Sequence, residues 1–237
     1  MGDEDDEAQT CKVVLLGESG VGKTCIIARF INNTFEENLI STTGASYAGK
    51  TMTFDEYGGK SIRFEIWDTA GQEKYRSLTK IFYKDAGAAI LVYDITRKES
   101  YEEIQKYWLN QIKDFAPKNI SKSFYFNYFC LILVVAMAAN KSDLIEKEQV
   151  NEAEARKYAK EVGALFKVTS ACTAAGIEEL FRSIGCKILN PNYTDEDEGK
   201  PVKPTQQPQP TKNDKKDPKI KLGDKKAEKK KEKKGFC

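Results

Sequence analysis

The sequence contains no histidine, and its few cysteines are not arranged in pairs. Histidine is absent from all 237 residues, which excludes histidine-based catalytic triads and argues against a zinc centre. No C-x-x-C pair occurs among the six cysteines, which stand at 11, 25, 130, 172, 186 and 237. The N-terminus is acidic and lacks the apolar segment of a secretory signal. We therefore expect reduced thiols and a cytoplasmic protein.

A strong overall charge is also lacking, but the charges that are present are segregated. The formal net charge is +2, while residues 3–7 are all acidic and lysines crowd residues 215–234. From 191 onwards, prolines, glutamines and lysines replace apolar residues, so this part has too little to bury in a core. The sequence predicts a disordered acidic N-terminus at 1–8, a folded domain at 9–190 and a disordered tail at 191–237.

One glycine-rich motif has the flanks that give such a motif meaning: Gly17-Glu18-Ser19-Gly20-Val21-Gly22-Lys23-Thr24. An apolar run precedes it and a helix-like segment follows, which is the setting of a phosphate-binding loop. Backbone N–H groups and the helix N-terminus there bind phosphates. Lys23 would reach the β- and γ-phosphates, and Thr24 would ligate Mg²⁺. The alternative, a glycine-rich turn without a ligand, is disfavoured by the flanks.

Segments with strand and helix patterns alternate along the domain. We predict helices at 23–32, 99–115, 148–161 and 176–188, with a short one within 68–85. Strands are predicted at 11–16, 47–54, 61–67, 87–93 and 164–168, with a sixth ending at 139. This alternation indicates an α/β fold, a mostly parallel six-stranded sheet with helices on both faces. In such sheets, ligands bind at the carboxyl ends of the strands.

Two further motifs follow predicted strands. In Trp67-Asp68-Thr69-Ala70-Gly71-Gln72-Glu73, Asp68 suits a role at Mg²⁺. Gly71 can bring an N–H group to a γ-phosphate, and Gln72 can orient an attacking water. By itself this motif also fits an ordinary turn.

The second motif is Asn140-Lys141-Ser142-Asp143. A carboxylate at Asp143 would accept hydrogen bonds from N1–H and the 2-amino group of guanine, and so reject adenine. Alone, the tetrapeptide fits a helix N-cap equally well. After the next strand, Ser170 and Ala171 in Thr169-Ser170-Ala171 would offer N–H groups to guanine O6.

Together, in this order, the motifs resemble the Ras superfamily of small GTPases over residues 10–190, and within it the Rab family. The Rab likeness comes from the amino-acid sequences of segments 41–47, 64–67, 74–78 and 89–96, which are similar to those of the early-endosome group. The resemblance implies a three-layer P-loop fold and a GTP/GDP switch in vesicle trafficking, with slow GTP hydrolysis. Lys23 and Gln72 would be its catalytic residues.

The resemblance also implies roles for residues outside the motifs. Phe35 would pack on the guanine ring, and Thr42 would join Thr24 and Asp68 at Mg²⁺. The remaining nucleotide contacts would be Cys25, Asn140 and Lys141.

Expected partners are an exchange factor, an activating protein that supplies the missing arginine finger, and effectors, with no nucleic acid among them. Effectors would contact Tyr47, Trp67 and Phe82. One prenyl group on Cys237, beside the lysine run, would hold the protein on the cytosolic face of an endosomal membrane. The alternative is an unmodified thiol in a solvated tail.

The sequence departs from the family pattern in several places, including the C-terminus, which ends in the single Cys237 where Rab chains generally have paired cysteines. Cys172 stands where the family usually has lysine. Residues 121–133 form an additional aromatic-rich segment before a predicted strand, and Lys122 is its only charged residue. The apolar run from 124 to 139 is too short to span a membrane. We interpret the insertion as translated intron sequence or another gene-model error, which sequencing of the mature transcript tests. Rival functions are another P-loop NTPase, such as an ATP-dependent kinase, or a non-hydrolysing GTP-binding interaction protein.

Overall fold

A six-stranded sheet forms the centre of the structure, a computed structural model that describes residues 8–37, 42, 46–68, 85–115 and 133–197. The strand order is β2-β3-β1-β4-β5-β6. Only β2 runs antiparallel to its neighbour, while the other pairings are parallel. The strands are β1 (Gln9–Leu16), β2 (Ser46–Phe54), β3 (Lys60–Asp68), β4 (Ala88–Asp94), β5 (Val134–Asn140) and β6 (Leu165–Val168). The predicted α/β fold class is confirmed.

Helices follow β1, β4, β5 and β6, as predicted, while the short helix predicted within 68–85 lies outside the described residues except for its two end positions. They are α1 (Lys23–Asn32), α2 (Lys98–Glu103), α3 (Leu109–Phe115), α4 (Glu152–Glu161) and α5 (Ile177–Leu189). A π-helical segment, Ile104–Trp108, joins α2 to α3, so the helix predicted at 99–115 is not a uniform α-helix. Short 3₁₀ turns lie at Asp55–Tyr57, Ser142–Lys147 and Asp195–Asp197.

The prediction that a helix begins at 148 was wrong. Residues before 148 form the 3₁₀ turn instead, and α4 starts at Glu152. The reason is the cap: Asn151 Oδ1 accepts a hydrogen bond of 3.1 Å from the Glu154 N–H. This side chain satisfies one of the N–H groups that a helix start leaves without an intrahelical partner.

Both faces of the sheet are covered by apolar side chains, because successive residues of a strand point to opposite faces. In β1, Val13 and Leu15 belong to one buried cluster and Val14 and Leu16 to the other. The first cluster takes in α1 and α5, and the second takes in α2, α3 and α4. The chain therefore builds three layers.

Aromatic contacts fix α1 against its neighbours. Phe30 of α1 stacks on Phe181 of α5 with ring centroids 3.7 Å apart, and Phe64 of β3 meets Phe181 edge-on at 5.8 Å. All three are buried. Such pairs add to the stabilisation from burial, so the helix that starts at Lys23 has a fixed position over the sheet.

The polar residues of the predicted motifs meet at one edge of the sheet. Because β1, β3, β4, β5 and β6 are parallel, their carboxyl ends lie on the same side. β3 ends at Asp68, β4 at Asp94 and β5 at Asn140, and all three side chains are buried.

Contacts with the domain continue past residue 190. Tyr193 is buried, and its carbonyl accepts a hydrogen bond of 2.7 Å from Lys187 Nζ. Asp195 Oδ2 accepts one of 2.6 Å from the Phe166 N–H of β6, a strand at the edge of the sheet. Within the described residues, no helix has the length and apolar character needed to cross a membrane.

Candidate functional site

The loop at 17–24 depends on glycines. Gly17, Gly20 and Gly22 have φ values of 146°, 77° and 97°. Residues that carry a side chain rarely adopt such values. A Cβ atom at Gly17 would collide with the Val92 carbonyl oxygen, and one at Gly22 with Asn140 Nδ2. No side chain caps the start of α1, so the N–H groups of its first turn are available to an anion.

The Lys23 side chain folds over this loop. Its Nζ donates hydrogen bonds of 2.8 Å to the carbonyl oxygens of Gly17 and Glu18, and the residue is buried. Burial lowers the pKa of Lys23 to about 8, although the nearby carboxylates of Asp68 and Glu18 oppose that shift. The loop therefore holds a nearly buried ammonium group beside its own N–H groups.

Oxygen atoms from three separate segments converge next to Lys23. Thr24 Oγ1 donates a hydrogen bond of 2.6 Å to Asp68 Oδ2 and lies 2.8 Å from Thr42 Oγ1. Thr42 Oγ1 also lies 3.4 Å from Asp68 Oδ2. Oxygen is the ligand that Mg²⁺ prefers, so this set fits the predicted magnesium site. It contains one carboxylate, and the described residues include no group of three acidic, cysteine or histidine side chains placed to hold a metal ion.

Asn140 joins the phosphate loop to the loop after β6. Its Nδ2 donates a hydrogen bond of 2.8 Å to the Val21 carbonyl oxygen. Its Oδ1 accepts bonds of 3.3 Å from Thr169 Oγ1 and from the Ala171 N–H. The residue is 1% exposed. One buried amide thus connects three parts of the chain that lie far apart in sequence.

The Asp143 carboxylate is held by the same loop. Ser170 Oγ donates a hydrogen bond of 2.5 Å to Asp143 Oδ1 and accepts one of 3.1 Å from the Thr173 N–H. The residue before the 3₁₀ turn is Lys141, with φ 67°, and no side chain caps that turn. The alternative that this tetrapeptide serves as a helix cap is therefore not what the structure contains.

These groups surround a cavity of about 470 Å³. Of the predicted nucleotide contacts, its wall includes Ser19, Gly20, Gly22, Lys23, Thr24, Cys25, Phe35, Thr42, Asn140, Lys141, Asp143 and Ala171. Gly17, Glu18, Val21 and Ser170 are not in the wall, and they contact its residues from behind. Glu36, Glu37 and Leu144, which sequence reasoning did not anticipate, also line the cavity, as does Cys172 at the position where the family usually has lysine.

Several predicted residues cannot be placed. Gly71, Gln72, Phe82 and Cys237 lie outside the described residues, as does the insertion except for Leu133. Two of the three predicted effector contacts are described. Tyr47 and Trp67 are cross-strand partners whose rings meet edge-on at 5.6 Å, and Tyr47 is 50% exposed.

Two residues to which the sequence assigned no role support the site. Asp94, at the end of β4, lies 2.7 Å from Lys141 Nζ and accepts hydrogen bonds from the N–H and hydroxyl of Thr96. Burial favours a higher pKa for Asp94, but the hydrogen bonds from Lys141 and Thr96 outweigh it and lower the pKa. Arg97 donates a hydrogen bond of 3.0 Å to the Ser19 carbonyl oxygen. Asp94 lies in the segment 89–96 that carries the Rab likeness, but the sequence assigned no role to either residue, because their contacts exist only in three dimensions.

Comparison with known proteins identifies the family to which the chain with this site belongs. A family model described as the Ras family matches residues 12–190. The chain belongs to the Ras family. Ras-related protein Rab-22A of Homo sapiens is 40% identical over 197 residues, which are 83% of this chain and 93% of that protein. Ras-related protein Rab-31 of Rattus norvegicus is 41% identical over 177 residues, or 75% of this chain and 82% of that protein.

This Ras-family chain is a Rab-like small GTPase of membrane trafficking, as its resemblance to Rab proteins predicted. Its nucleotides are GTP and GDP, its metal is Mg²⁺, and it hydrolyses GTP to GDP. Rab GTPases act with exchange factors, activating proteins and effectors, so partners of these three kinds follow from the family. The family match also decides against the rival of a different P-loop NTPase.

Proposed function

We propose that the cavity binds the guanine nucleotide with its phosphates on the loop at 17–24 and its base between Asp143 and Ala171. The observation that carries this proposal is the buried amide of Asn140, which ties the Val21 carbonyl to the Ala171 N–H. One nucleotide then spans two loops whose separation is fixed by a single side chain.

At the phosphate end, the groups have complementary roles. The Lys23 ammonium and the N–H groups at the start of α1 stabilise the negative charge that develops during phosphoryl transfer. Thr24, Thr42 and Asp68 would hold Mg²⁺, which neutralises phosphate charge when bound. In this proposal, Thr42 senses the γ-phosphate.

At the base end, Asp143 selects guanine. Its carboxylate accepts hydrogen bonds from N1–H and the 2-amino group, whereas the matching edge of adenine lacks these donors. A bound base would cover this carboxylate, and a covered acceptor left without a donor is costly, so discrimination against adenine is large. The Ser170 hydroxyl supports this role because it fixes Oδ1 of the carboxylate at 2.5 Å.

Replacing Asp143 by asparagine tests how the base is read. The amide N–H of Asp143→Asn has no acceptor on guanine but meets the 2-oxo group of xanthine. We therefore expect the affinity for GDP to fall by ~10²-fold or more, and xanthosine diphosphate to become the preferred ligand. Calorimetric titration in the presence of Mg²⁺ measures both.

The matched control for this variant is Glu36→Gln, which changes another carboxylate in the cavity wall. It should keep the preference for GDP. Unchanged GDP affinity in Asp143→Asn would contradict the proposed role of Asp143.

We further propose that Gln72 orients the attacking water and that hydrolysis is slow without an activating protein. Because no arginine finger is evident in the sequence, the activating protein supplies this group or an equivalent. Loss of the γ-phosphate releases Thr42 and Gly71. The effector surface around Tyr47, Trp67 and Phe82 then loses its ordered arrangement.

Single-turnover hydrolysis of bound GTP tests the role of Gln72. The variant Gln72→Leu keeps the side-chain size but removes both hydrogen-bonding groups, so we expect hydrolysis to slow by about tenfold or more while GDP affinity is retained. If the native protein and the variant hydrolyse bound GTP at the same rate, Gln72 does not orient the attacking water.

We also propose that the protein binds the cytosolic face of an endosomal membrane through one prenyl group on Cys237. A single lipid chain anchors only weakly, and stable binding needs a second signal such as a basic segment. The lysines at 225, 226, 229, 230, 231, 233 and 234 supply that signal, at roughly 1 kcal/mol for each one near an anionic surface.

Intact-mass spectrometry of the native protein tests the anchor. We expect the mass of one prenyl group on Cys237 in the membrane fraction, and release of Cys237→Ser into the soluble fraction. Cys186→Ser is the control, because that thiol is buried in the folded domain. Membrane-bound protein with an unmodified Cys237 would refute the proposal.

A further inference from the structure

Arg29, near the end of α1, connects this helix to the loop after β6. Its Nε donates a hydrogen bond of 2.8 Å to the Ala171 carbonyl oxygen, and its Nη2 donates one of 2.8 Å to that of Cys172. From these contacts we infer that Arg29 is a positioning residue for recognition of the 6-oxo group of the purine. The inference rests on the proposed function, since it deepens the account of the same base site.

The guanidinium is itself fixed on the side of α1. Nη1 donates hydrogen bonds to the Asn33 carbonyl oxygen at 2.9 Å and to Asn33 Oδ1 at 3.0 Å. Asn33 adopts the left-handed conformation, φ 54°, and its N–H bonds back to the Arg29 carbonyl at 3.0 Å, which closes the helix. The planar fork of an arginine can meet several acceptors at once, which the single ammonium of lysine does not reproduce.

These contacts orient the peptide groups at the base end of the cavity. In a trans peptide, the C=O and the following N–H point in opposite directions. Holding the Ala171 carbonyl toward α1 therefore directs the Cys172 N–H away from Arg29. On the preceding peptide, the Ala171 N–H lies 3.3 Å from Asn140 Oδ1. The loop is thus held by Arg29 on one side and by Asn140 on the other. These contacts fix the direction of the N–H groups that meet a 6-oxo group.

The side chain of Cys172 contributes little to holding the loop in position. It is exposed, whereas the Ala171 side chain is buried. The position of Cys172 at the cavity therefore follows from contacts of its backbone, such as the hydrogen bond of 2.8 Å that its carbonyl oxygen accepts from Arg29. Arg29 does not line the cavity, so it acts through the loop and does not touch the base.

Base analogues separate positioning from simple stabilisation of the fold. The test compares GDP with 2-aminopurine riboside diphosphate, which lacks the 6-oxo group together with N1–H, and with inosine diphosphate, which lacks only the 2-amino group read by Asp143. In Arg29→Ala we expect GDP affinity to fall about tenfold, equivalent to roughly 1.4 kcal/mol. Affinity for the 2-aminopurine analogue should change little, because it makes no 6-oxo contact to lose. The ratio of GDP to inosine diphosphate affinity should stay the same.

Two further variants complete the design. Arg29→Lys keeps the charge but loses the fork, so its loss of GDP affinity should lie between those of the native protein and Arg29→Ala; it also serves if the alanine variant does not fold. Arg156→Ala removes an arginine that pairs with Glu152 on α4, away from the cavity, and should leave all three affinities unchanged.

Each outcome has a distinct meaning. A loss of affinity by the same factor for GDP and the 2-aminopurine analogue would make Arg29 a purely structural residue and overturn the inference. So would unchanged affinities in both Arg29 variants. Failure of the native protein to bind GDP would instead refute the proposed function, so the two failures are distinguishable.

Discussion

The site depends on one buried amide, that of Asn140. A buried side-chain amide must find hydrogen-bond partners, and an unsatisfied one costs about 1–3 kcal/mol. Asn140 finds them on two loops, at Val21 on one side and at Thr169 and Ala171 on the other. Strand pairing places it there: Asn140 is the last residue of β5 and pairs with Asp94 of β4. The distance between the phosphate and base ends of the cavity is therefore a property of the sheet.

Around this amide, charges are placed on rigid supports. Lys23 is held by two carbonyl oxygens of its own loop, and Lys141 by the Asp94 carboxylate. Preorganised charges of this kind need little rearrangement when a ligand arrives. The glycines of the phosphate loop belong to the same design, because any side chain at Gly22 would displace Asn140. Nucleotide affinity and the packing of the sheet edge are therefore coupled in this small GTPase.

Local patterns were enough to predict the parts of the structure that local interactions determine. The bounds of α1 were predicted without error, since the glycine loop ends at Gly22 and the apolar face of the helix follows. The parallel sheet followed from strand–helix alternation, and it brought the motifs to one edge. The start of α4 was missed because the capping side chain of Asn151 outweighed the helical pattern upstream of it.

The roles of Arg29, Asp94 and Arg97 could not be predicted from local sequence patterns. Arg29 contacts residues 142 and 143 positions away in sequence, and Arg97 contacts Ser19 across 78 positions. Such contacts depend on how α1, β4 and β6 are arranged, and nothing in the neighbouring sequence marks an arginine as the one that will make them.

The most direct measurement is the calorimetric affinity of Asn140→Ala for GDP and for inosine diphosphate, in Mg²⁺ and with folding verified by circular dichroism. If Asn140 holds both loops, GDP affinity falls by ~10²-fold or more, the scale of two lost buried hydrogen bonds. Inosine diphosphate affinity falls by the same factor, because Asn140 does not read the 2-amino group. A folded variant that binds GDP as tightly as the native protein would contradict the central role of this amide.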